Sequence, residues 1–137
     1  MKEKNVLKGS CLCGNIHYQY DGTLDEISIC HCEQCRKAQG TAFAAVSPIQ
    51  SSGFSILKGG EYLKEYRSSP GKVRAFCRQC GSPIYSARDD QPDLKRLRLG
   101  TLETPVNVTN KYHIFVGSKA SWFDISDGLP QFDRFKD

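Results

Sequence analysis

The sequence predicts a mainly β protein with one or two short helices. Apolar and polar residues alternate with a period of two in several short segments, which is typical of half-buried antiparallel strands. Turn signals such as Asp21-Gly22, Gly59-Gly60 and Asp127-Gly128 separate these segments. Because no long helical pattern lies between the strands, the sequence favours an all-β architecture.

The alternating segments recur along most of the chain. They predict strands at residues 16–20, 54–56, 62–66, 73–77, 96–99, 106–108 and 112–116. A short helix is predicted at residues 33–39, where Gly40 supplies a stop signal. A second short turn is predicted near residues 118–122.

Length and composition predict one domain and an intracellular setting. A chain of 137 residues with 39% hydrophobic content fits a single domain, 1–137, with a modest core. The charged N-terminus lacks the apolar run of a secretory signal, and no stretch approaches the roughly 18 apolar residues that span a bilayer. We therefore expect a cytoplasmic protein with no membrane partner. In a reducing compartment its seven cysteines are expected to bind metal or to do chemistry rather than to form disulfides.

The chain is mildly basic, with a net charge of +4. The second half carries spread basic residues, among them Arg74, Arg78, Arg88, Lys95, Arg96 and Arg98. The pattern favours a solvated surface, and the alternative is a surface that binds a small acidic substrate or nucleic acid. Nucleic acid is not the expected partner, because no aromatic stacking platform lies among the basic residues.

Four of the cysteines form two close pairs. Cys11 with Cys13, and Cys77 with Cys80, are each followed at once by a glycine, which can adopt a positive φ and direct backbone N–H groups towards the sulfurs. If the fold joins the pairs, the four thiolates form a closed tetrahedral site of the structural zinc type. Sulfur ligands also suit an iron–sulfur cluster. A Cys-x-x-Cys pair by itself could be redox-active, but the βαβ context that it needs is absent.

Cys30, Cys32 and Cys35 lie within six residues and remain for a second site. Three thiolates on a loop that enters a helix can face one metal ion and leave a coordination position open for water or substrate, as at catalytic zinc sites. The open position suits a soft anionic ligand such as a thiolate.

Two alternatives stay open for this cluster. His31 could close the site as a fourth ligand, but adjacent residues of an extended segment point in opposite directions, so we expect it to be a neighbour. The cluster could instead be redox-active without metal. A helix N-terminus and the nearby Arg36 and Lys37 would lower thiol pKa values in either case.

Together these motifs resemble the glutathione-dependent formaldehyde-activating family, which also includes centromere protein V. The matching segments run from about residue 9 to the C-terminus. They are Gly-Ser-Cys11-Leu-Cys13-Gly, Cys30-His31-Cys32-x-x-Cys35-Arg36, Phe76-Cys77-x-x-Cys80-Gly81 and His113-Ile-Phe-Val-Gly-Ser-Lys119-Ala-x-Trp122.

The resemblance implies an Mss4-like β-sheet zinc fold with two Zn²⁺ sites. Cys11, Cys13, Cys77 and Cys80 match the family's structural zinc ligands. Cys30, Cys32 and Cys35 match the ligands of its catalytic zinc. The implied activity is that of S-(hydroxymethyl)glutathione synthase, a carbon–sulfur lyase that condenses formaldehyde with glutathione.

Candidate substrate contacts lie near the clusters in sequence. Arg36, Lys37 or Lys119 could hold the carboxylates of glutathione, because charge-assisted contacts to carboxylates are strong. Trp122 and Phe123 could form an apolar wall of the pocket. A surface charge or a core aromatic is the alternative role for each of them.

The sequence thus predicts a zinc enzyme that joins a small-molecule thiol to formaldehyde or a related aldehyde. One alternative is a zinc-stabilised module that binds protein or nucleic acid without catalysis. The other is a redox or metal-handling protein that uses its middle cysteines without stable zinc.

Overall fold

The computed structural model describes residues 6–136. Within these residues the chain forms two β-sheets, one α-helix and a few 3₁₀ turns. The strands are β1 (Val6–Ser10), β2 (His17–Asp21), β3 (Ile27–Cys30), β4 (Ala44–Gln50), β5 (Phe54–Lys58), β6 (Leu63–Ser69), β7 (Lys72–Cys77), β8 (Pro83–Arg88), β9 (Leu94–Arg98) and β10 (Lys111–Ile114), and the helix is α1 (Glu33–Gln39). The predicted mainly β fold with short helices is confirmed.

The strands are divided unequally between the two sheets. The small sheet has the order β1-β2-β5, and the large sheet has the order β10-β3-β4-β9-β8-β7-β6. Neighbouring strands are antiparallel except for β10, which pairs with β3 in parallel. The antiparallel prediction is therefore wrong for the last strand, whose partner lies more than 80 residues earlier and cannot be reached by a hairpin turn.

The main core contains side chains from both sheets. Its buried members are Leu7, Cys11, Ile16, Tyr18, Tyr20, Ile49, Ala75, Cys77, Ile84, Tyr85 and Leu97. Alternation along β2 accounts for the burial of its side chains. Tyr18 and Tyr20 are buried, whereas the intervening Gln19 is only half-buried. Two cysteines of the predicted structural site belong to this core, which places that site at its edge.

Helix α1 has the predicted bounds. Its N-cap is Cys32, whose sulfur accepts a hydrogen bond from the Cys35 backbone N–H at 3.3 Å. Its C-cap is Gly40, which has the left-handed φ of 69° that glycine adopts without strain. The helix therefore begins inside the middle cysteine cluster and fixes two of its sulfurs.

Other sequence predictions differ from the structure at identifiable points. The predicted strand at 106–108 is wrong, because this segment has no regular structure and Val106 is exposed. The predicted strand at 112–116 ends at Ile114, because Phe115 has a φ of 56° that breaks the extended conformation. A 3₁₀ turn at Val116–Ser118 overlaps the start of the predicted second turn. Strands β1, β3, β4 and β8 were not predicted, since their alternation is weak or interrupted by proline.

Among residues 6–136, no helix has the length and apolar character needed to cross a membrane.

Candidate active site and metal centres

The first cysteine group is the four-cysteine site, formed by Cys11, Cys13, Cys77 and Cys80. Their sulfurs all lie within 4.8 Å of one another, with 3.6 Å between Cys11 and Cys13 and 3.8 Å between Cys13 and Cys77. A tetrahedral ion with Zn–S bonds of about 2.3 Å separates its sulfurs by about 3.8 Å, so this group fits such an ion. The first pair follows β1 and the second follows β7, so the site connects the two sheets.

Both pairs of this site lie in glycine turns. Gly14 and Gly81 have φ values of 79° and 81°, and their N–H groups donate to the carbonyls of Cys11 and Cys77. The N–H of Ile16 donates to the Cys11 sulfur at 3.3 Å. The Ile16 contact agrees with the expectation that the first turn directs an N–H group towards a sulfur, whereas the two glycine N–H groups close their turns on backbone carbonyls.

The protein environment favours ionisation of one thiol of the four-cysteine site, that of Cys80. Burial opposes ionisation of Cys80, but hydrogen bonds from the hydroxyl and backbone N–H of Ser82 lower the pKa of Cys80 to about 5. The Ser82 hydroxyl lies 3.2 Å from the sulfur. A thiolate is the form that a metal ion binds.

The second group is the three-cysteine site, formed by Cys30, Cys32 and Cys35. Their sulfurs lie within 4.8 Å of one another, at the end of β3 and the start of α1. Cys30 and Cys35 are buried, and Cys32 is partly exposed. Three thiols at this spacing fit one divalent ion and supply one ligand fewer than a closed tetrahedral site has.

A cavity of about 460 Å³ opens onto the three-cysteine site. Its volume lies within the range of small-molecule sites. Its wall carries basic, hydroxyl and aromatic side chains. They are Lys72, Arg96 and Arg98, then Ser28, Ser69, Ser86 and Ser118, then Phe115 and Phe135. The cavity therefore combines thiol groups, positive charge and apolar surface.

Two arginines influence the thiols of this site. The Arg74 Nη2 group lies 3.8 Å from the Cys35 sulfur, and Arg98 donates to the Ser86 hydroxyl at 3.0 Å beside the cavity. Hydrogen bonds from the thiols of Cys30 and Cys32, followed by the charges of Arg98 and Arg74, hold the pKa of Cys35 far below its ordinary value.

His31 points away from the sulfurs, as the sequence predicted. Its ring is fully buried, and its Nε2 lies 2.8 Å from Nδ1 of His113, whose own Nε2 lies 2.9 Å from an Asp127 carboxylate oxygen. Burial, and then the positive charge that His113 can carry, lower the pKa of His31. This row of side chains connects the cysteine loop to β10 and to the C-terminal segment.

Residues 6–118 match the sequence model of a family described as "Glutathione-dependent formaldehyde-activating enzyme". The chain belongs to this family. The resemblance seen in the cysteine motifs is thereby confirmed over most of the chain.

Individual relatives agree with the family assignment. A Schizosaccharomyces pombe protein named as an uncharacterized lyase is 27% identical over 125 residues, which is 91% of this chain and 89% of that protein. A Sordaria macrospora protein provisionally named glutathione-dependent formaldehyde-activating enzyme is 29% identical over 50% of this chain, but the match spans only 29% of that protein. A crystal structure of a Rhodobacter sphaeroides protein superposes with a TM-score of 0.61 at 25% identity, over 72% of this chain and 89% of that one. The family match and the two relatives named by activity support a lyase-type enzyme.

In this formaldehyde-activating family member, the substrate contacts expected from the sequence lie outside the cavity wall. Among the described residues, Arg36, Lys119 and Trp122 are not part of the cavity lining. Arg36 donates to the His31 carbonyl at 3.4 Å, and Lys119 donates to the carbonyls of Ala120 and Phe123. Trp122 is 70% exposed. Their roles as substrate contacts remain predictions.

Phe123, expected in an apolar wall, and Lys37, the third basic candidate, also lie outside the cavity wall. Phe123 stacks near His31 and Phe43, so it packs on the side of the loop that faces His31. Lys37 forms an exposed ion pair with Glu33 at 2.8 Å.

The basic residues of the site were not recognised from the sequence. Arg74 and Arg98 are only 8% and 3% exposed, so the expectation of a solvated basic surface is wrong for both. Lys72 and Arg96 line the cavity. Alternation did place Arg74, Arg96 and Arg98 on one face of their predicted strands, but it did not reveal that α1 and the cysteine loop cover that face. Lys72 lay outside the predicted strand.

Proposed function

We propose that the protein is a zinc-dependent carbon–sulfur lyase-type enzyme, similar to S-(hydroxymethyl)glutathione synthase, that joins glutathione or a related thiol to formaldehyde or a related aldehyde. The observation that carries the proposal is the cavity of about 460 Å³ that opens onto three clustered cysteine sulfurs. A module that only binds protein or nucleic acid does not need such an arrangement.

The proposed reaction is an addition without net oxidation or reduction. A carbon–sulfur bond forms between the thiol sulfur and the carbonyl carbon, while one bond of the C=O group opens. The thiol loses its proton and the former carbonyl oxygen gains one, which gives the hydroxymethyl thioether. The reverse reaction, which releases the aldehyde, is the direction that the term lyase describes.

The two cysteine groups divide the metal chemistry in this proposal. Cys30, Cys32 and Cys35 would hold the catalytic ion, and the four-cysteine site would hold a structural one. A zinc ion bound by three cysteines would supply Lewis acidity and favour the ionised form of a thiol at its open position. The protein contributes three fixed sulfurs and a cavity of defined shape next to them.

The cavity wall provides contacts for an acidic thiol. Lys72 and Arg96 line the cavity, and both are suited to bind substrate carboxylates. Burial, and then repulsion from Arg74, lower the pKa of Lys72, so a carboxylate beside it would stabilise its charged form. Phe115 and Phe135 meet edge to face with their ring centres 4.8 Å apart and provide an apolar wall.

We propose further that residues 1–137 act as one domain in the cytoplasm, where low-molecular-weight thiols are kept reduced. A nucleic-acid partner is not part of this proposal.

The direct test is exchange NMR on glutathione mixed with ¹³C-formaldehyde, which measures the rate at which the hydroxymethyl adduct forms and decays. We expect the protein to increase this exchange rate above that of the spontaneous reaction. The variant Cys32→Ser should abolish the increase, and Arg67→Gln, which alters only an exposed ion pair with Asp89, should preserve it. No acceleration by fully metal-loaded wild-type protein would refute the proposal.

A further inference from the structure

We propose that Arg74 and Arg98 are positioning residues that make the open metal position of the three-cysteine site selective for an anionic ligand. The inference rests on the proposed function, because it needs a divalent ion at that site. It goes further, since it assigns the choice of the fourth ligand to two buried arginines that are not metal ligands.

The burial of these two side chains is unusual for charged groups. Arg74 and Arg98 are 8% and 3% exposed, and no Asp or Glu is buried among residues 6–136. The side-chain ion pairs of the described residues involve neither arginine. A buried charge without an opposite charge is costly, so compensating anions must lie nearby.

The available anions are the thiolates of the three-cysteine site. Arg74 approaches the Cys35 sulfur at 3.8 Å, and its Nε and Nη1 atoms have no hydrogen-bond partner among the described residues. Arg98 is oriented by its hydrogen bond to Ser86 and lines the same cavity as the three cysteines. Within residues 6–136, no carboxylate forms an ion pair with either guanidinium, and Glu33 of the cavity wall pairs with Lys37.

The balance of charges then indicates the fourth ligand. Three thiolates and one divalent ion carry a single net negative charge, whereas the two guanidinium groups carry two positive charges. A neutral fourth ligand would leave this buried group with an uncompensated positive charge. An anionic ligand, such as the thiolate of the substrate, would make it neutral, which is the less costly state in a poorly solvated interior.

The four-cysteine site provides an internal contrast. There the thiolates receive backbone N–H groups, as at Cys11, and Cys13 is exposed to solvent. No buried cation lies among the described core residues of that site. Buried positive charge is therefore specific to the site that has an open position.

The test measures ligand binding by the Co²⁺-loaded protein from the visible absorption of the metal centre. The anionic ligand is the thiolate of 2-mercaptoethanol. This thiol has no carboxylate, so its binding does not depend on carboxylate contacts with Lys72 or Arg96. The neutral ligand is imidazole. In Arg74→Gln and Arg98→Gln we expect the dissociation constant for 2-mercaptoethanol to rise about tenfold, or about 1.4 kcal/mol. The dissociation constant for imidazole should change less than about twofold. Arg74→Lys and Arg98→Lys, which keep the charge, should remain within about threefold of wild type for both ligands.

Several outcomes would overturn the inference. An equal loss of affinity for both ligands in the glutamine variants would indicate a merely structural role, and unchanged affinity for the thiol would exclude the charge effect. The matched control Arg67→Gln, which removes only an exposed ion pair with Asp89, must behave as wild type.

A measurement on the wild-type protein does not depend on the folding of any variant. Relative to free Co²⁺ in water, the protein-bound ion should have a higher ratio of azide affinity to imidazole affinity, and an unchanged or lower ratio would contradict anion selectivity. If the wild-type protein binds no second Co²⁺ ion, the proposed function fails, and this inference fails with it. If the ion binds and glutathione perturbs its spectrum but the arginine variants do not differ, only this inference fails.

Discussion

At the scale of single residues, the cysteines of the two sites differ in what surrounds them. Cys77 is fully buried in the main core, where the four-cysteine site connects the two sheets. Cys32 is partly exposed at the cavity, and its sulfur caps a short helix. Loss of one sulfur therefore has different consequences at the two positions.

We predict that Cys77→Ser fails to fold, whereas Cys32→Ser folds, binds one metal ion fewer and is inactive. A structural metal site contributes folding free energy directly, because the site does not exist in the unfolded chain. Circular dichroism melts combined with zinc analysis per chain measure both effects. If Cys32→Ser unfolds as severely as Cys77→Ser, the division into a structural and a catalytic site is wrong.

A second prediction concerns Lys72, which lines the cavity and would contact a substrate carboxylate. Loss of a charge-assisted hydrogen bond costs about 1.5–3 kcal/mol when buried, and less at this partly exposed position. We expect Lys72→Gln to raise KM for glutathione about fivefold to tenfold and to leave KM for 2-mercaptoethanol nearly unchanged. Steady-state kinetics with the two thiols test this, and an equal rise for both would remove Lys72 from carboxylate binding.

At the scale of elements, α1 is the part of the fold that most directly shapes the site. It has only seven residues, and isolated helices of that length are not stable in water. Its position depends on its caps and on packing, since Cys32 begins it and Gly40 ends it. Two of the three clustered sulfurs move with this helix.

We therefore predict that Gly40→Ala lowers the free energy of unfolding by about 1 kcal/mol, because a Cβ disfavours the left-handed φ of 69°. No heavy atom lies within 4 Å of the added Cβ, so the cost is backbone strain rather than a clash. Gly100→Ala, which also has open space and lacks a positive φ, is the matched control and should be nearly neutral. Denaturant unfolding measures both, and equal effects would contradict the strain argument.

At the scale of the whole molecule, the two cysteine sites differ in how strongly metal binding would be coupled to folding. The four-cysteine site joins segments more than 60 residues apart and connects the small sheet to the large one. The three-cysteine site lies within one loop and one helix and opens to a cavity. Metal at the first site would link the two sheets, and metal at the second would be reached through the cavity.

Treatment with a strong chelator should accordingly proceed in two phases. We expect one metal ion to leave early with little change in circular dichroism, and the second to leave later together with unfolding. A colorimetric metal indicator followed in parallel with circular dichroism distinguishes the phases. Simultaneous loss of both ions and of structure would show that the sites are not independent.

Local sequence signals predicted part of the fold correctly. Strand alternation predicted β2, β5, β6, β7 and β9, and caps predicted α1, because both signals are local. Alternation alone was misleading at 106–108, where no neighbouring strand pairs with the segment. A strand is completed by hydrogen bonds to a partner, and that partner is not encoded locally.

The sequence by itself determined the two cysteine groups, the glycine turns of one, the helix start of the other, and the family. These depend on the spacing and conformation of adjacent residues, which the chain specifies directly. Only the tertiary structure decided that Arg74 and Arg98 are buried at the three-cysteine site and that Lys72 and Arg96 line its cavity. The pleat of a strand assigns a side chain to one face, but distant segments that pack on that face determine whether it meets solvent, substrate or thiolate.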